Sequence, residues 1–190
     1  GLFVATVLIA ITFSDIWRKS KGQLRRLPKL GKSYWGMVFA HLGVAIMVIG
    51  VTVVSNFSVE KALKMSPGEV ATLSGYDFKF VQVGEQQGPN YVAQVGVFDI
   101  TKNGEEVATL FAEKRRYKVK GSMMTEAAID AGLFRDLYIS MGEPLADGAW
   151  AMRLQVKAFM RWVWLGAIFM SFGGLLAILD KRYRIRAKSV

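Results

Sequence analysis

The sequence predicts an α-helical membrane protein that carries a small all-β domain, an antiparallel barrel or sandwich, between two of its helices. Two uncharged apolar segments, residues 34–56 and 162–179, have about the length that a helix needs to cross a bilayer, roughly 20 residues at 1.5 Å per residue. The segment between them alternates polar and apolar residues, as strands with one buried face do. The chain contains no cysteine, which excludes disulfides and thiolate metal ligands within it.

The first apolar run, residues 1–14, is too short to cross a membrane alone as a helix. It also lacks the basic region and the cleavage site of a signal peptide. We therefore interpret it as the end of a transmembrane helix that starts before Gly1, so that the chain is part of a longer protein. Residues 15–33 follow as a basic loop, with seven basic residues and one acidic residue.

The net positive charge of the chain comes from two segments, because the basic and acidic residues between them balance. The formal net charge of +10 comes from residues 15–33 and from the tail, residues 180–190, which has five basic residues and one acidic residue. Because basic residues next to apolar spans mark the cytoplasmic side, we expect residues 57–161 on the outer face of the membrane, which is the periplasmic side of the inner membrane in a Gram-negative bacterial cell. This distribution indicates contact with anionic lipids of the bilayer and argues against nucleic-acid binding.

The second apolar segment, residues 34–56, opens with aromatic residues of the kind that lie at a membrane interface. Its small residues are expected to pack closely against other helices, because small side chains let helix backbones approach each other. These residues are Gly36, Ala40, Gly43 and Gly50.

Residues 57–161 are predicted to form the antiparallel β domain. Inward positions are predicted along three alternating runs: Tyr76, Phe78 and Phe80; Ala93, Val95 and Val97; and Trp150, Met152, Leu154 and Val156. Asn103-Gly104 lies between two strand-like runs and predicts a two-residue hairpin turn. Residues 125–133 are predicted to form one short helix, with Thr125 as its N-cap.

His41, the only histidine of the chain, lies inside the second apolar segment. A charged side chain within a membrane costs about 2.5 kcal/mol or more, so an ionisable residue there normally has a partner or a function. On a helix, His41 shares a face with small and aliphatic residues that leave room for a flat macrocycle beside the imidazole. They are Met37, Val38, Val44, Ala45 and Val48. The residues leave two interpretations open. His41 is either an axial ligand of haem iron, with Met37 or Met47 as the second ligand, or a neutral histidine hydrogen-bonded to another helix.

No catalytic constellation is visible in the β domain. The basic run of residues 113–118 has two interpretations. It is either a charged edge strand that discourages aggregation, or a docking surface on which Arg115 or Arg116 binds an acidic partner or haem propionates. The carboxylates of the domain are interpreted as solvated groups: Glu105, Glu106, Asp130 and Asp136.

Several short motifs are spread over the chain: Thr12-Phe-Ser-Asp15, His41-Leu-Gly43, Met124-Thr-Glu-Ala-Ala-Ile129, Arg135-Asp-Leu-Tyr138 and Phe159-Met-Arg161-Trp162-Val-Trp164. Taken together, they resemble the C-terminal portion of the CcmF family of cytochrome c-type biogenesis proteins, the haem lyase subunit. The resemblance runs over essentially the whole chain. It departs from the family at Ala158, where we expect proline.

The resemblance implies that His41 is one of two histidines that hold a b-type haem between membrane helices. The second histidine is then outside this chain, in the rest of the parent polypeptide. This haem is expected to reduce the haem that is attached to apocytochrome c, with the haem chaperone CcmE and with CcmH as partners. The residues that form the thioether bonds are expected elsewhere, so no catalytic residue is assigned. The alternative is a non-catalytic membrane scaffold that docks CcmE and apocytochrome c, with His41 only structural.

Overall fold

The computed structural model describes residues 1–119 and 121–180. The chain divides into two compact units: a helical unit, made of residues 1–56 and the chain from residue 159 onward, and a β unit, residues 57–158. The predicted basic tail falls outside the described residues except for Asp180.

The helical unit contains three α-helices and one short 3₁₀ helix among its described residues. They are α1 (Leu2–Ser20), the 3₁₀ helix (Leu24–Lys29), α2 (Lys32–Phe57) and α3 (Met160–Ile178). α1 continues past the predicted apolar run because residues 15–20 contain no glycine or proline that would break a helix. It ends where Lys21 adopts the left-handed conformation, with φ 50°, before Gly22. α2 and α3 are long and apolar enough to cross a membrane.

Glycines at seven-residue spacing bring the backbones of α2 and α3 into direct contact. A Cβ atom at Gly43 of α2 would lie 2.7 Å from the carbonyl oxygen of Gly166 of α3. One at Gly173 of α3 would lie 2.5 Å from the carbonyl oxygen of Gly36 of α2. Such distances leave no space for a side chain, so the prediction of close helix packing at these glycines is confirmed. We call this contact the glycine seam.

Polar contacts join the three helices at the end of the unit where basic residues cluster. The Tyr34 hydroxyl of α2 donates to Asp15 Oδ2 of α1 over 2.9 Å, and Lys19 Nζ lies 4.2 Å from the centroid of the Tyr34 ring. After α3, the Asp180 carboxylate accepts a 2.7 Å hydrogen bond from the Ser33 backbone N–H. This carboxylate therefore caps the N-terminus of α2, where the helix dipole favours negative charge.

The β unit is an antiparallel sandwich, so the predicted all-β fold is confirmed in its sandwich form. One sheet has the strand order β1-β9-β8-β7 and the other has the order β2-β3-β4-β5-β6. The strands are β1 (Val59–Met65), β2 (Val70–Leu73), β3 (Tyr76–Gln87), β4 (Tyr91–Lys102), β5 (Glu105–Tyr117), β6 (Met123–Glu126), β7 (Ala128–Ala131), β8 (Arg135–Pro144) and β9 (Trp150–Ala158).

The core of the sandwich is built largely from the predicted inward positions. Phe80 of β3 and Phe98 of β4 are fully buried, and their rings stack with centroids 4.8 Å apart. All the predicted inward residues of β3 and β9 are buried: Tyr76, Phe78 and Phe80, and Trp150, Met152, Leu154 and Val156. The alternating pattern therefore predicted the buried face of both strands correctly.

The predicted hairpin between β4 and β5 is confirmed. Asn103 and Gly104 both have positive φ, 53° and 84°, as a two-residue type I′ turn requires. Asparagine and glycine adopt this conformation at low cost, so the turn fixes the register in which β4 pairs with β5.

The predicted inward face of β4 was correct at Ala93, which is fully buried, and wrong at Val95 and Val97. Phe98 and Ile100 are fully buried, whereas Val95 and Val97 are only partly buried. The reason is Gly96, where a Cβ atom would lie 2.5 Å from the sulfur of Met141 in the opposite sheet. The glycine makes room for this methionine on the inward face, so the larger valines occupy the other side of the strand.

The predicted helix at residues 125–133 was also wrong, because this segment forms the two short strands β6 and β7. β6 pairs with β5 and β7 pairs with β8, so backbone hydrogen bonding to neighbouring strands overrides the local helix propensity. Thr125 makes side-chain hydrogen bonds instead of capping a helix. It accepts from Lys114 Nζ over 3.2 Å and donates to the Met141 carbonyl oxygen over 3.2 Å.

Candidate functional site

A groove of about 890 Å³ runs along α1 and α2, and His41 lines it. Its apolar walls include Leu8 and Ile11 of α1 and Met37 of α2. The groove has the volume of a ligand site, which is typically about 300–1,000 Å³. The helical unit therefore has a candidate ligand site at the histidine that the sequence singled out.

The imidazole of His41 is oriented by its own helix. Its Nδ1 atom lies 2.8 Å from the carbonyl oxygen of Met37, one turn earlier in α2. The tautomer that satisfies this contact carries its proton on Nδ1 and donates it to the carbonyl. The Nε2 atom then keeps its lone pair, which is the form of histidine that binds a metal ion.

The glycine seam lies on the other side of α2 from His41. His41 is two residues before Gly43, which places it about 160° around the helix from the seam. α3 therefore covers the side of α2 that His41 does not use. The face that carries Met37, His41 and Val44 is exposed in the described part of the chain.

The donor set of the groove suits a cofactor that needs only an axial ligand. No group of three or more His, Cys, Asp or Glu side chains that could hold a metal ion occurs within residues 1–119 and 121–180. A structural zinc ion usually takes four protein ligands, which this groove does not offer. A haem brings its own four equatorial nitrogens and takes a histidine as axial ligand. The residues present therefore fit a haem, which His41 would ligate.

Neither methionine considered as a second ligand is placed to act opposite His41. Met47 faces α3, because a Cβ atom at Gly166 would lie 2.7 Å from the Met47 Cβ atom. Met37 lines the groove, but it is one turn from His41 on the same helix face. Neither methionine would therefore serve as a second ligand to a haem held by His41.

One end of the groove is polar and basic. From the sequence, these basic residues were interpreted only as a sign of which side of the membrane they lie on. Asp15, Arg18 and Lys19 of α1 line this end. The guanidinium group of Arg18 makes no hydrogen bond or ion pair with any residue that the structure describes. Arg18 lies beside the groove because α1 packs antiparallel to α2. This packing could not be predicted from the residue pattern of α1.

In the β unit, the interpretation of residues 113–118 as an edge strand was wrong. β5 lies between β4 and β6, and it pairs with both. Arg115 pairs with Glu113 over 2.7 Å and with Glu126 over 3.3 Å, and its guanidinium lies 4.6 Å from the Tyr91 ring centroid. The hydrogen bond to Glu113 is the main cause that raises the pKa of Arg115 above its ordinary value. Arg115 is thus committed to partners within its own sheet.

Two of the carboxylates interpreted as solvated are held by neighbouring groups, so that interpretation was wrong for them. Asp136 is buried and accepts a 3.1 Å hydrogen bond from the Gly132 backbone N–H. Asp130 forms an ion pair with Arg135. Both contacts close the turn between β7 and β8, so they support the fold and provide no acid–base pair. The other two carboxylates are exposed, as predicted: Glu105 and Glu106.

The chain is similar to proteins of cytochrome c biogenesis. A family model described as the CcmF C-terminal beta-sandwich matches residues 56–158. The chain is 50% identical over 190 residues to the cytochrome c-type biogenesis protein CcmF of Pseudomonas fluorescens, a match that covers 99% of this chain and 29% of that protein. It is 47% identical over 164 residues to the protein of the same name from Escherichia coli strain K12, covering 86% of this chain and 25% of that protein.

The solved structure of a protein named Cytochrome c Heme Lyase CcmF shares the fold, with a TM-score of 0.76 at 15% sequence identity. The match covers 91% of this chain and 29% of that one, so the chain spans less than a third of the length of these relatives. The family model covers more than half of the chain, and its residues fold as the sandwich that its description names. The chain therefore belongs to the CcmF family and carries its C-terminal β-sandwich together with neighbouring helices.

Proposed function

We propose that this chain functions in the maturation of c-type cytochromes, as the part of a haem lyase that supplies one axial ligand to a membrane-embedded haem b. The observation that carries the proposal is the position of His41. Its Nδ1 atom is engaged by the Met37 carbonyl, and its Nε2 atom is left to bind iron in a groove of suitable volume. The names of the relatives, which refer to cytochrome c biogenesis and to haem lyase, support the same assignment.

Each part of the groove has a distinct task in this proposal. A haem held by His41 and a second histidine would supply one-electron transfer without an open position for oxygen, which would suit reduction of the haem that is attached to apocytochrome c. Met37 holds the imidazole of His41 in the ligating orientation. Leu8 and Ile11 provide apolar walls for the macrocycle. The thioether-forming residues are placed outside this chain, so the chain itself contributes no catalytic residue.

Replacement of His41 by alanine tests the ligand assignment. In the full-length protein in detergent, His41→Ala is expected to abolish or strongly weaken the b-type signal in a reduced-minus-oxidised spectrum, with haem content measured as pyridine haemochrome. The matched control is Val44→Ala, because Val44 lies on the same exposed face of α2 and has no metal-binding atom. An unchanged b-type signal in the histidine variant, at equal protein yield, contradicts the proposal.

The proposed topology places α2 and α3 across the inner membrane, with residues 15–33 and 180–190 in the cytoplasm and the β unit in the periplasm. This arrangement lets the β unit meet CcmE, CcmH and apocytochrome c. The charge distribution and the two apolar helices support it.

Cysteine labelling tests the topology, because the chain has no cysteine of its own. In intact cells, an impermeant thiol reagent is expected to label Glu105→Cys in the β4–β5 hairpin and to leave Arg25→Cys in the 3₁₀ helix unlabelled. Both positions are exposed, so they differ in the side of the membrane and not in burial. Permeabilised cells are the control, in which both variants react. Labelling of Arg25→Cys in intact cells overturns the topology.

The alternative function is a non-catalytic scaffold that docks CcmE and apocytochrome c. It is favoured by β6, where Met123 and Met124 are each about half exposed and so present apolar surface for a partner. In this case His41 is only structural. The scaffold predicts that both the haem signal and the yield of mature cytochrome c survive His41→Ala.

A further inference from the structure

We infer that the basic end of the groove, formed by Arg18 and Lys19, binds the two propionate carboxylates of the haem whose iron His41 holds. The inference rests on the proposed function, because it takes His41 as the axial ligand. It assigns Arg18 and Lys19 to cofactor recognition. Their positive charge also indicates that this end of the helices lies on the cytoplasmic side.

The geometry of the helical unit places these side chains within reach of a ligand bound to His41. α1 and α2 run antiparallel, since Gly1 lies against Thr52 and Asp15 contacts Tyr34. His41 is seven residues after Tyr34, which corresponds to about 10 Å along the helix axis. The carboxylates of a haem lie along one edge of the macrocycle. A haem held by His41 can therefore direct that edge along the groove towards the basic end.

The direction in which the Arg18 and Lys19 side chains lean shortens their distance from a ligand bound to His41. Arg18 and Lys19 follow Asp15 in α1, so their Cα atoms lie about one turn beyond it. Side chains of an α-helix lean towards its N-terminus. The long side chains of Arg18 and Lys19 therefore lean back towards the level of His41, and they line the same groove as that residue.

The charges at this end of the groove favour an anion. The Arg18 guanidinium has no hydrogen-bonding or ion-pair partner among the described residues, and its planar shape can bind a carboxylate with two parallel hydrogen bonds. Lys19 Nζ is positioned over the Tyr34 ring, 4.2 Å from its centroid, and keeps its N–H donors for a second carboxylate. Asp15 is the opposing charge, and its carboxylate is engaged by the Tyr34 hydroxyl at 2.9 Å.

The rest of the groove cannot perform this role. Its other walls are largely apolar, with Leu8, Ile11 and Met37, and its remaining polar side chains are the hydroxyls of Thr12 and Ser14. Hydrogen bonds to charged groups are stronger than those between neutral groups. The two cations therefore fix which edge of the haem faces the basic end, whereas His41 fixes only the iron.

The test compares haem b with its dimethyl ester, which has the same iron and macrocycle but no carboxylates. Each is titrated into the haem-free full-length protein in detergent, and binding is followed at the Soret band. Arg18→Gln is expected to weaken the binding of haem b by about tenfold to a hundredfold and to leave the binding of the ester unchanged. Lys19→Gln is expected to have a smaller effect of the same kind. The matched control is Arg25→Gln, a basic residue in the 3₁₀ helix that does not line the groove.

Two results overturn the inference. Equal weakening of haem b and ester by Arg18→Gln shows a structural role for the arginine. An unchanged affinity for haem b in the Arg18→Gln/Lys19→Gln double variant shows that the basic end meets another anion, such as a lipid headgroup. Failure of the proposed function would be seen separately in the His41→Ala variant. If His41 is not the ligand, this variant binds haem b and its ester as tightly as the parent protein does. In that case, a loss of affinity for haem b but not for the ester in Arg18→Gln still tests whether Arg18 binds the carboxylates.

Discussion

Phe98→Ala is expected to destabilise the β-sandwich by about 3–5 kcal/mol, the cost of removing a buried phenylalanine side chain from a packed core. Phe98 is fully buried, and its ring stacks on that of Phe80, its pairing partner on the neighbouring strand β3. Truncation removes this ring contact and leaves a cavity between the two sheets. The neighbouring side chains are held by strand pairing on both sides, so they can fill the cavity only in part.

Hydrogen–deuterium exchange measures this effect within the intact chain. The amides of β3 and β4 are expected to exchange roughly 100- to 4,000-fold faster in Phe98→Ala, at about 1.4 kcal/mol for each factor of ten. The matched control is Phe111→Ala in β5, because Phe111 pairs with Val97 in the same sheet but is 57% exposed. Its effect is expected to stay within about 0.5 kcal/mol. Equal effects of the two variants contradict the core described for the sandwich.

Gly173→Ala is expected to destabilise the packing of α2 and α3 by about 1–3 kcal/mol, the cost of inserting a methyl group into a filled contact. The new Cβ atom would lie 2.5 Å from the carbonyl oxygen of Gly36 and 2.7 Å from the backbone nitrogen of Ala40. Both are backbone atoms, so no side chain can rotate to make room and the two helices have to move apart.

The next residue provides a matched control for this variant. Gly174 lies in the same turn of α3, but a Cβ atom there would have no neighbour within 4 Å in the described structure. Gly174→Ala is therefore expected to be neutral or to stabilise by up to about 1 kcal/mol, because alanine favours the helix over glycine. The melting temperature of the full-length protein in detergent separates the two variants. A melting temperature that falls equally in both variants contradicts the close backbone contact described for the glycine seam.

The parts of the fold that depend on short-range pattern could be predicted from the sequence. The alternation in β9 identified its buried face, and Asn103-Gly104 identified the hairpin, because each is encoded by residues that are adjacent in the chain. His41 could be found in the same way, since an ionisable residue in an apolar span is conspicuous by itself. The exposure of the helix face that carries His41 could not be predicted, because it depends on which side of α2 is covered by α3.

The parts that were mispredicted or missed depend on partners distant in the sequence. The segment 125–133 has local helix propensity, and it forms strands because β5 and β8 supply hydrogen-bonding partners. Gly96 has no side chain to indicate that its side of β4 is inward, and Met141 of the opposite sheet occupies the space. Arg18 belongs to a basic run that indicates topology, and only the contact of α1 with α2 places it beside the groove.

The glycine seam also determines the direction in which His41 points. Rotation of α2 by one residue, about 100°, would bring the Cβ atom of Leu42 or Val44 to the position that Gly43 occupies, where there is no space. The seam has several such contacts at seven-residue intervals, so α2 is fixed in both rotation and register. The imidazole, two residues from Gly43, is fixed with it and is therefore preorganised for its ligand. A site built in this way would keep its shape with and without the proposed haem, so the protein could take up haem without refolding.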